Sequence, residues 1–213
     1  MTKNEPAKRS GLRIASGKDR PTLAERSVLV TVELLDGRRA AESEYQLREV
    51  AAEAFAEPPY GEGPADAERA FRRFRSQVRR RGFRAAIAFE GETVVGMAYG
   101  YPLSANTRWW DTLLGPVPDE LRKEDGTRTF GLFELAVRPG WRRRGVATRM
   151  HRVLVDGLDN ARVMLNSRPE ATAAQAAYLS WGYRRVGSAI PWEGAAVHDV
   201  MILDMESASG PIV

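Results

Sequence analysis

The stretch VRPGWRRRGVATRM, residues 137–150, decides the fold because a strand is predicted to end in it and a helix to begin in it. Three consecutive arginines, Arg142, Arg143 and Arg144, precede Gly145 at that junction. A helix N-terminus already carries about half a positive charge and unpaired N–H groups, so crowded arginines are unfavourable there without an anion. The turn therefore predicts an anion site; the alternative is solvated arginines and a glycine needed only for packing.

The segments on either side of this turn predict a strand–helix–strand unit. Residues 129–139, TFGLFELAVRP, form an apolar run in which Glu134 is the single acid, as in a central strand covered on both faces. Residues 161–166, ARVMLN, predict the next strand, and the helix between the two strands carries apolar residues on one side. A crossover helix of this kind makes the two strands parallel.

The rest of the chain predicts further strands and helices of the same domain. Apolar, β-branched runs indicate strands, apolar residues at helical spacing indicate helices, and Glu90 with Gly91 indicates a hairpin turn. Two segments without a periodic pattern are candidates for substrate loops. The predicted strands are residues 27–35, 83–90, 93–103, 183–190 and 197–205, the helices 42–55, 66–80 and 169–182, and the loops 57–64 and 104–129.

Length and composition limit the class of protein. The chain has 213 residues, 43% of them hydrophobic, which suits one domain, predicted over residues 27–206, with polar tails at 1–26 and 207–213. No run of about 18 apolar residues could span a bilayer and no apolar signal region follows the N-terminus, so we expect a cytoplasmic protein that does not enter a membrane. With no cysteine and two histidines, we expect neither disulfides, nor thiolate catalysis, nor a metal site.

Two motifs give the chain a resemblance to a known family. Residues 142–147, RRRGVA, match Arg/Gln-x-x-Gly-x-Gly/Ala, the acyl-coenzyme A signature of the GNAT superfamily of N-acetyltransferases. Residues 178–183, YLSWGY, look like the family's Tyr-x-x-x-Gly-Phe/Tyr. Seven residues before that tyrosine, where the family frequently has an asparagine, this chain has Ala171. The resemblance implies an α/β GNAT fold, with about seven strands in a mixed, twisted sheet and helices on both faces.

The resemblance also implies a donor, acetyl-coenzyme A. Its pyrophosphate is expected against the backbone N–H groups of residues 142–147, called the arginine turn below, and of Thr148, so that the arginines meet negative phosphates. Its pantetheine arm is expected beside the preceding strand, where backbone N–H groups polarise the thioester carbonyl. The implied contacts are Leu135, Ala136, Val137, Arg142, Arg143, Arg144, Gly145, Val146, Ala147 and Thr148.

Direct transfer to an amine needs a base and an acid. An amine with a pKa of about 10 costs about 4 kcal/mol to present in its neutral form at pH 7. Glu134 is similar to the glutamate that acts as base in many members of the family, with a structural carboxylate as the equal alternative. The resemblance makes Tyr178 the acid for the leaving thiolate, with a core tyrosine as the alternative. His198 is a rival base, whereas His151 is expected to be structural or on the surface.

By the same resemblance, the amine acceptor is expected among three connecting segments, residues 57–64, 104–129 and 187–197. These segments contain aromatic and acidic side chains, which suit a cation carried on a flat or apolar body. As an alternative, the paired tryptophans only anchor a long loop. The candidate acceptor residues are Tyr60, Glu62, Trp109, Trp110 and Trp192, together with Asp111 and Glu193.

The sequence thus predicts an enzyme that acetylates a primary amine of a small molecule or peptide. Two alternatives stay open: a donor carried by an acyl carrier protein that docks on the basic residues 69–84, and a non-catalytic protein that senses acyl-coenzyme A. A nucleic-acid partner is not favoured, because Phe71, Phe74 and Val78 in that basic stretch have the spacing of core residues. The oligomeric state stays open, a homodimer included.

Overall fold

Residues 29–205 are described by the structure, a computed structural model, and the predicted tails at 1–26 and 207–213 lie outside them. The strands in this range are β1 (Val30–Leu35), β2 (Arg84–Glu90), β3 (Thr93–Pro102), β4 (Thr129–Val137), β5 (Arg162–Ser167), β6 (Arg184–Ala189) and β7 (His198–Asp204). The α-helices are α1 (Gly37–Glu42), α2 (Glu44–Phe55), α3 (Pro64–Gln77), α4 (Asp119–Arg122), α5 (Val146–Val155) and α6 (Thr172–Ser180).

The strands form one seven-stranded mixed sheet in the order β1-β2-β3-β4-β5-β7-β6, which confirms the predicted fold class. Every neighbouring pair is antiparallel except β4 and β5, the parallel pair expected on either side of α5. These two strands pair only through residues 129–131 and 162–164. Beyond that point β4 and β5 are no longer paired, so a gap opens between them in the middle of the sheet.

Helices cover both faces of the sheet, as predicted. On one face, Met150 and Leu154 of α5 are fully buried in a cluster with Phe130 of β4. On the other face, Phe71 and Phe74 of α3 pack in a second cluster with residues of α2, β2 and β3. Burial of one such side chain stabilises the fold by roughly 1.5 to 3 kcal/mol, so these apolar stripes hold the helices in place more than helix propensity does.

Local capping explains where the helix boundaries differ from the prediction. The predicted helix over residues 42–55 is preceded by a separate helix, α1, because Asp36 accepts a hydrogen bond from the N–H of Arg39 at 2.9 Å and caps it. Helix α3 begins two residues earlier than predicted, at Pro64, where Asp66 accepts from the N–H of Gly63 at 2.9 Å. Helix α6 begins at Thr172, after a turn over the predicted start.

Candidate functional site

A cavity of about 930 Å³ opens where β4 and β5 separate. Its wall combines β4 and β5 with α3, α6 and the three connecting segments predicted to hold an acceptor. Both predicted catalytic residues lie in this wall. Its polar and aromatic residues include Tyr60, Glu62, Asp66, Arg69, Arg73, Gln77, Tyr99, Arg108, Trp109, Asp111, Phe133, Glu134, Asn166, Arg168, Tyr178, Trp192 and His198.

A β-bulge in β4 shapes one side of the cavity. Tyr99 of β3 lies opposite Glu134, but the next residue of β3 lies opposite Leu132, so Phe133 is an extra residue. As a result, Leu132 and Leu135, three positions apart, both pack in the core cluster of α5, which the two-residue period of a regular strand does not allow. Glu134, adjacent to Leu135, lies on the opposite face, toward α3.

The turn before α5 has the backbone of an anion site. Gly145 has a φ of 73°, a left-handed conformation that favours glycine, and a Cβ added there would meet nothing within 4 Å. The N–H of Arg149 donates to the carbonyl of Gly145 at 3.1 Å, which begins the hydrogen-bond ladder of α5. The N–H groups of Val146, Ala147 and Thr148 come before that ladder and are therefore available to an anion.

The arginines of the turn differ in what they contact. Arg142 donates through Nη1 to Glu57 and through Nη2 to the carbonyl of Ala54, each at 2.7 Å. The Arg142 guanidinium therefore ties the turn to the end of α2, and its expected contact with phosphate stays a prediction. Arg143 and Arg144 are exposed, and these two side chains carry the turn's remaining positive charge.

Glu134 lies in the cavity wall without an ion pair or side-chain hydrogen bond to any residue in the described range 29–205. Its pKa is raised from 4.5 to about 8, chiefly by burial away from water, then by the negative charge of Glu62, against the opposing positive charge of Arg73. A carboxylate with a pKa close to neutrality and no protein partner can accept a proton from a bound molecule. Glu134 thus has the properties of a general base.

Tyr178 enters the cavity wall from α6. Its ring packs edge-on against Trp181 and Tyr183, with both centroid distances at 5.6 Å. Burial raises the pKa of the Tyr178 phenol well above its ordinary value, and Tyr60 and Glu134 raise it further. The phenol therefore keeps its proton and can donate a hydrogen bond. Full proton transfer to a thiolate, with an ordinary pKa of about 8.5, is more uphill than for an unperturbed phenol.

Most of the predicted acceptor residues line the cavity. Burial raises the pKa of the Glu62 carboxyl, which the charge of Arg168 opposes. The Arg168 guanidinium lies 5.3 Å from the centre of the Tyr60 ring and donates to the carbonyl of Pro59 at 3.0 Å, which joins the end of β5 to the loop after α2. The predicted residues in the wall are Tyr60, Glu62, Trp109, Asp111 and Trp192, whereas Glu193 is not part of it.

Trp110 is not among the residues of the cavity wall, and its predicted place in the acceptor site stays a prediction. It is 4% exposed, its Nε1 donates to Glu124 at 3.1 Å, and its ring lies 5.3 Å from the guanidinium of Arg162. Successive residues of the short helical turn that holds the two tryptophans point in different directions, so Trp109 faces the cavity and Trp110 enters the core. The alternative of a loop anchor fits Trp110, and Trp109 also packs against the core, edge-on to Phe133 at 5.4 Å.

The two histidines have different surroundings. His198 lines the cavity, and its Nδ1 donates to the carbonyl of Ala196 at 2.8 Å, which leaves Nε2 as an acceptor. Burial lowers the pKa of His198, so the imidazole is neutral at pH 7, and His198 stays a candidate base. His151 is buried in the core, its Nε2 lies 3.0 Å from the Tyr183 hydroxyl, and burial lowers its pKa to about 4. Its position agrees with the expected structural role.

Among the wall residues that sequence reasoning missed are Arg73, Asn166 and Arg168. Asn166 and Arg168 lie at the carboxyl end of β5, next to a parallel strand, where ligand crevices form in such sheets, so topology offered a signal for both. The buried Oδ1 of Asn166 has no hydrogen-bond partner among residues 29–205. Arg73 had no distinguishing signal, because α3 contains several arginines at similar positions.

Within residues 29–205, no group of three or more histidine, aspartate or glutamate side chains is arranged to hold a metal ion. In the same range, no helix has both the length and the apolar character needed to cross a membrane.

Known proteins identify the family to which this architecture corresponds. The sequence profile of the acetyltransferase (GNAT) family matches residues 45–183. The ribosomal-protein-S18-alanine N-acetyltransferase of Escherichia coli is similar in structure, with a TM-score of 0.59 and 17% identity over 87% of this chain and 99% of that one. No curated protein sequence matches.

Two archaeal structures agree with this similarity. The PaiA N-acetyltransferase of Thermoplasma acidophilum, in complex with coenzyme A, has a TM-score of 0.54 and 13% identity over 82% of this chain and 99% of that one. Ard1 of Thermoplasma volcanium has a TM-score of 0.55 and 14% identity over 83% of this chain and 98% of that one. At these identities the likeness is one of fold.

Proposed function

The chain belongs to the GNAT family of acetyltransferases, and we propose that it transfers an acetyl group from acetyl-coenzyme A to a primary amine of a small molecule or peptide. The observation that carries this proposal is the Glu134 carboxylate. It has no protein partner among residues 29–205, its pKa is raised to about 8, and it shares one cavity with the Tyr178 phenol at the gap between β4 and β5.

The arginine turn fits the donor. A Cβ at Gly145 would meet nothing within 4 Å, so a phosphate has room to approach the N–H groups at the start of α5. Arg143 and Arg144 are exposed beside it and supply positive charge. The orphaned Oδ1 of Asn166 offers an acceptor to an amide N–H of the ligand. When bound, the coenzyme supplies an activated thioester, and the protein supplies the groups that hold it.

We assign proton removal to Glu134. As the amine nitrogen bonds to the thioester carbonyl carbon, the carbon–sulfur bond breaks and the nitrogen gives up a proton to the Glu134 carboxylate, directly or through water. An acceptor amine with a pKa of about 10 and a base with a pKa of about 8 differ by about two units, or about 3 kcal/mol, compared with about 7 kcal/mol for an ordinary glutamate. The raised pKa therefore makes this transfer far less uphill.

We assign stabilisation of the leaving thiolate to Tyr178, by hydrogen-bond donation with proton transfer following late in the reaction. The carbonyl oxygen becomes negative during attack, and within the predicted segment Leu135, Ala136 and Val137 the N–H groups that face away from β3, those of Leu135 and Val137, are the candidates to stabilise it. Support comes from the missing β4–β5 pairing beyond residues 129–131, since this edge of β4 has backbone groups with no strand beside them.

Binding of the donor is tested by thermal denaturation with increasing acetyl-coenzyme A. The melting temperature should rise with ligand concentration in the wild type, and the Gly145→Glu variant should lose that rise, because the new side chain brings bulk and negative charge into the turn. Gly157→Glu is the matched control: Gly157 also has a positive φ, of 64°, and open space around its Cβ, but it lies beyond the other end of α5. Equal ligand response in both variants would refute the proposed cradle.

Catalysis is tested by release of free coenzyme thiol with a panel of primary amines. An enzyme should release thiol with at least one amine, and Tyr178→Phe should slow that release while leaving the ligand-induced thermal shift in place. A protein that only senses acyl-coenzyme A would show the thermal shift in both forms and thiol release in neither.

The basic helix gives limited support to an acyl carrier protein as donor. Along α3, Arg69 pairs with Asp66, Arg72 with Glu68 and Arg75 with Glu44, so its positive charge is largely matched by the protein's own carboxylates. Free acetyl-coenzyme A remains the proposed donor.

A further inference from the structure

We propose that the acceptor carries a carboxylate as well as its amine, and that Arg73 binds this carboxylate at the mouth of the cavity. The inference rests on the proposed function, because it specifies which primary amines the site takes. The observation behind it is the pairing of the arginines on α3.

Arg73 differs from its neighbours on the same helix. The three other arginines of α3 each have a carboxylate within 4.0 Å, as described above. Arg73 has no carboxylate at that distance among residues 29–205, although it is one of the cavity-lining residues. A guanidinium that lines a binding cavity without an anionic partner is available for one from the ligand, and its planar fork matches a carboxylate.

Trp192 holds this arginine at the cavity mouth. The Arg73 guanidinium carbon lies 5.2 Å from the centre of the Trp192 ring, a cation–π contact from the loop between β6 and β7. Trp192 is half exposed and also lines the cavity. Stacking on the ring fixes the guanidinium plane but uses none of its five N–H donors, so the donors stay free for a ligand.

The cavity wall carries charges of both signs. Toward β4, the Glu134 and Glu62 carboxylates are both without an ion pair among the described residues, which suits an ammonium group. Arg168, another cavity arginine, donates to the carbonyl of Pro59 at 3.0 Å, and its charge acts on the Glu62 carboxyl. At the mouth, Arg73 presents the opposite charge. An acceptor whose amine faces Glu134 and whose carboxylate faces Arg73 matches both charges, whereas a plain alkylamine leaves Arg73 unused.

The test compares acceptors in matched pairs. Each pair is an amino acid and its carboxamide, taken from the α-amino acids and from the ω-amino acids of increasing length between β-alanine and 6-aminohexanoate. The measured quantity is the ratio of kcat/KM for the acid to kcat/KM for the amide. Comparing this ratio between variants cancels the lower pKa of the amino amides and any change in the pKa of Glu134, since both members of a pair meet the same enzyme.

Arg73→Ala should reduce the acid-to-amide ratio by about tenfold or more for the preferred pair, mainly through KM of the acid. Arg72→Ala is the matched control, because it removes the same charge from the adjacent position but is not a cavity residue, and it should leave the ratio unchanged. Trp192→Leu, which removes the stacking surface, should give an intermediate ratio.

The possible failures are distinct. If Arg73→Ala and Arg72→Ala give the same ratio as the wild type, the role of Arg73 is refuted while the acetyltransferase stands. If the wild type acetylates simple alkylamines as efficiently as every amino acid, the carboxylate requirement is refuted. If no amine of either kind releases thiol although acetyl-coenzyme A still raises the melting temperature, the proposed function itself fails and this inference falls with it.

Discussion

Two carboxylates, Glu124 and Glu134, lie in neighbouring regions and have different surroundings: the Glu124 side chain is fully buried, whereas Glu134 is half-buried in the cavity wall. Glu124 belongs to a loop anchor made of Trp110, Glu124, Thr129 and Arg162, in which its Oε1 accepts hydrogen bonds from the other three side chains at 2.8 to 3.1 Å. The Glu124 and Arg162 side chains are 1% and 3% exposed. Glu134 lies in the cavity wall, and its carboxylate has no side-chain hydrogen bond or ion pair with the described part of the chain.

This difference separates a carboxylate with a structural role from the carboxylate that we propose as the base. In the loop anchor, the charges of Glu124 and Arg162 stabilise each other and hold the 104–128 segment against β4 and β5. This segment forms part of the cavity wall, whereas the anchor residues themselves do not line the cavity. Glu134 is left without a partner, and the cost of burying its charge appears as a raised pKa, which is the property a base needs. Burial alone therefore does not indicate a base; a carboxylate that faces a cavity and has no partner in the described range is the better candidate.

The largest effect is expected from breaking the loop anchor. Glu124→Gln leaves the Arg162 charge buried without its counter-charge, so the free energy of unfolding should fall by about 3 to 5 kcal/mol. Urea denaturation measures this loss. Glu120→Gln, which removes a mostly exposed partner of Lys123, is the control and should have little effect. Equal stability of the two variants would show that the anchor does not hold the loop.

The next effect concerns catalysis at the other carboxylate. Glu134→Gln keeps the size of the side chain but cannot take a proton, so kcat/KM should fall by about 10²- to 10⁴-fold. The thermal shift with acetyl-coenzyme A should be retained, because Glu134 is not part of the arginine turn. A kcat/KM within a few-fold of the wild-type value would refute Glu134 as the base and leave His198 as the candidate.

The stability of the same variant should depend on pH. Between pH 4.5 and about 8 the folded protein keeps a proton on Glu134 that the unfolded chain has lost, so this residue makes the protein less stable as pH rises through that range. Glu134→Gln should therefore match the wild type near pH 4.5 and exceed its free energy of unfolding by about 2 kcal/mol near pH 9, allowing for contact of the carboxyl with cavity water. A constant difference across pH would contradict the raised pKa.

The smallest effects come from the charges around Glu134. The acid limb of the kcat/KM profile should have its midpoint at about pH 8 in the wild type. Glu62→Gln removes a negative charge that raises the pKa of Glu134 and should move the midpoint to lower pH, whereas Arg73→Ala removes a positive charge that lowers it and should move the midpoint to higher pH. Shifts in the same direction would contradict the charge arrangement of the cavity.

The parts of the site that depend on one contiguous stretch of sequence could be predicted. The arginine turn is one contiguous stretch, and the left-handed φ of Gly145 and the unpaired N–H groups of α5 are local consequences of a strand, a turn and a helix in that order. The predicted parallel pair of β4 and β5 is confirmed for the same reason. The order of elements carries this information without any side-chain contact.

Side chains that meet across the fold were harder to assign. Trp109 and Trp110 are equivalent in the sequence, and only the positions of Glu124 and Arg162 decide that Trp110 belongs to the core. In the sequence, Arg142 cannot be distinguished from Arg143 and Arg144, and only the fold brings the carbonyl of Ala54, at the end of α2, within hydrogen-bond distance of its guanidinium. In each case the deciding partner is distant along the chain.

By itself, the sequence determined the mixed sheet, the crossover around α5 and the glycine turn before it, because hydrophobic period, turn chemistry and backbone conformation act over a few residues. Tertiary structure alone decided which carboxylate pairs with an arginine and which faces the cavity with a raised pKa. It also decided which arginine of α3 has no carboxylate beside it among the described residues. Electrostatic partners are set by distance in space, and residues tens of positions apart come within 3 Å only when the sheet and its helices have assembled.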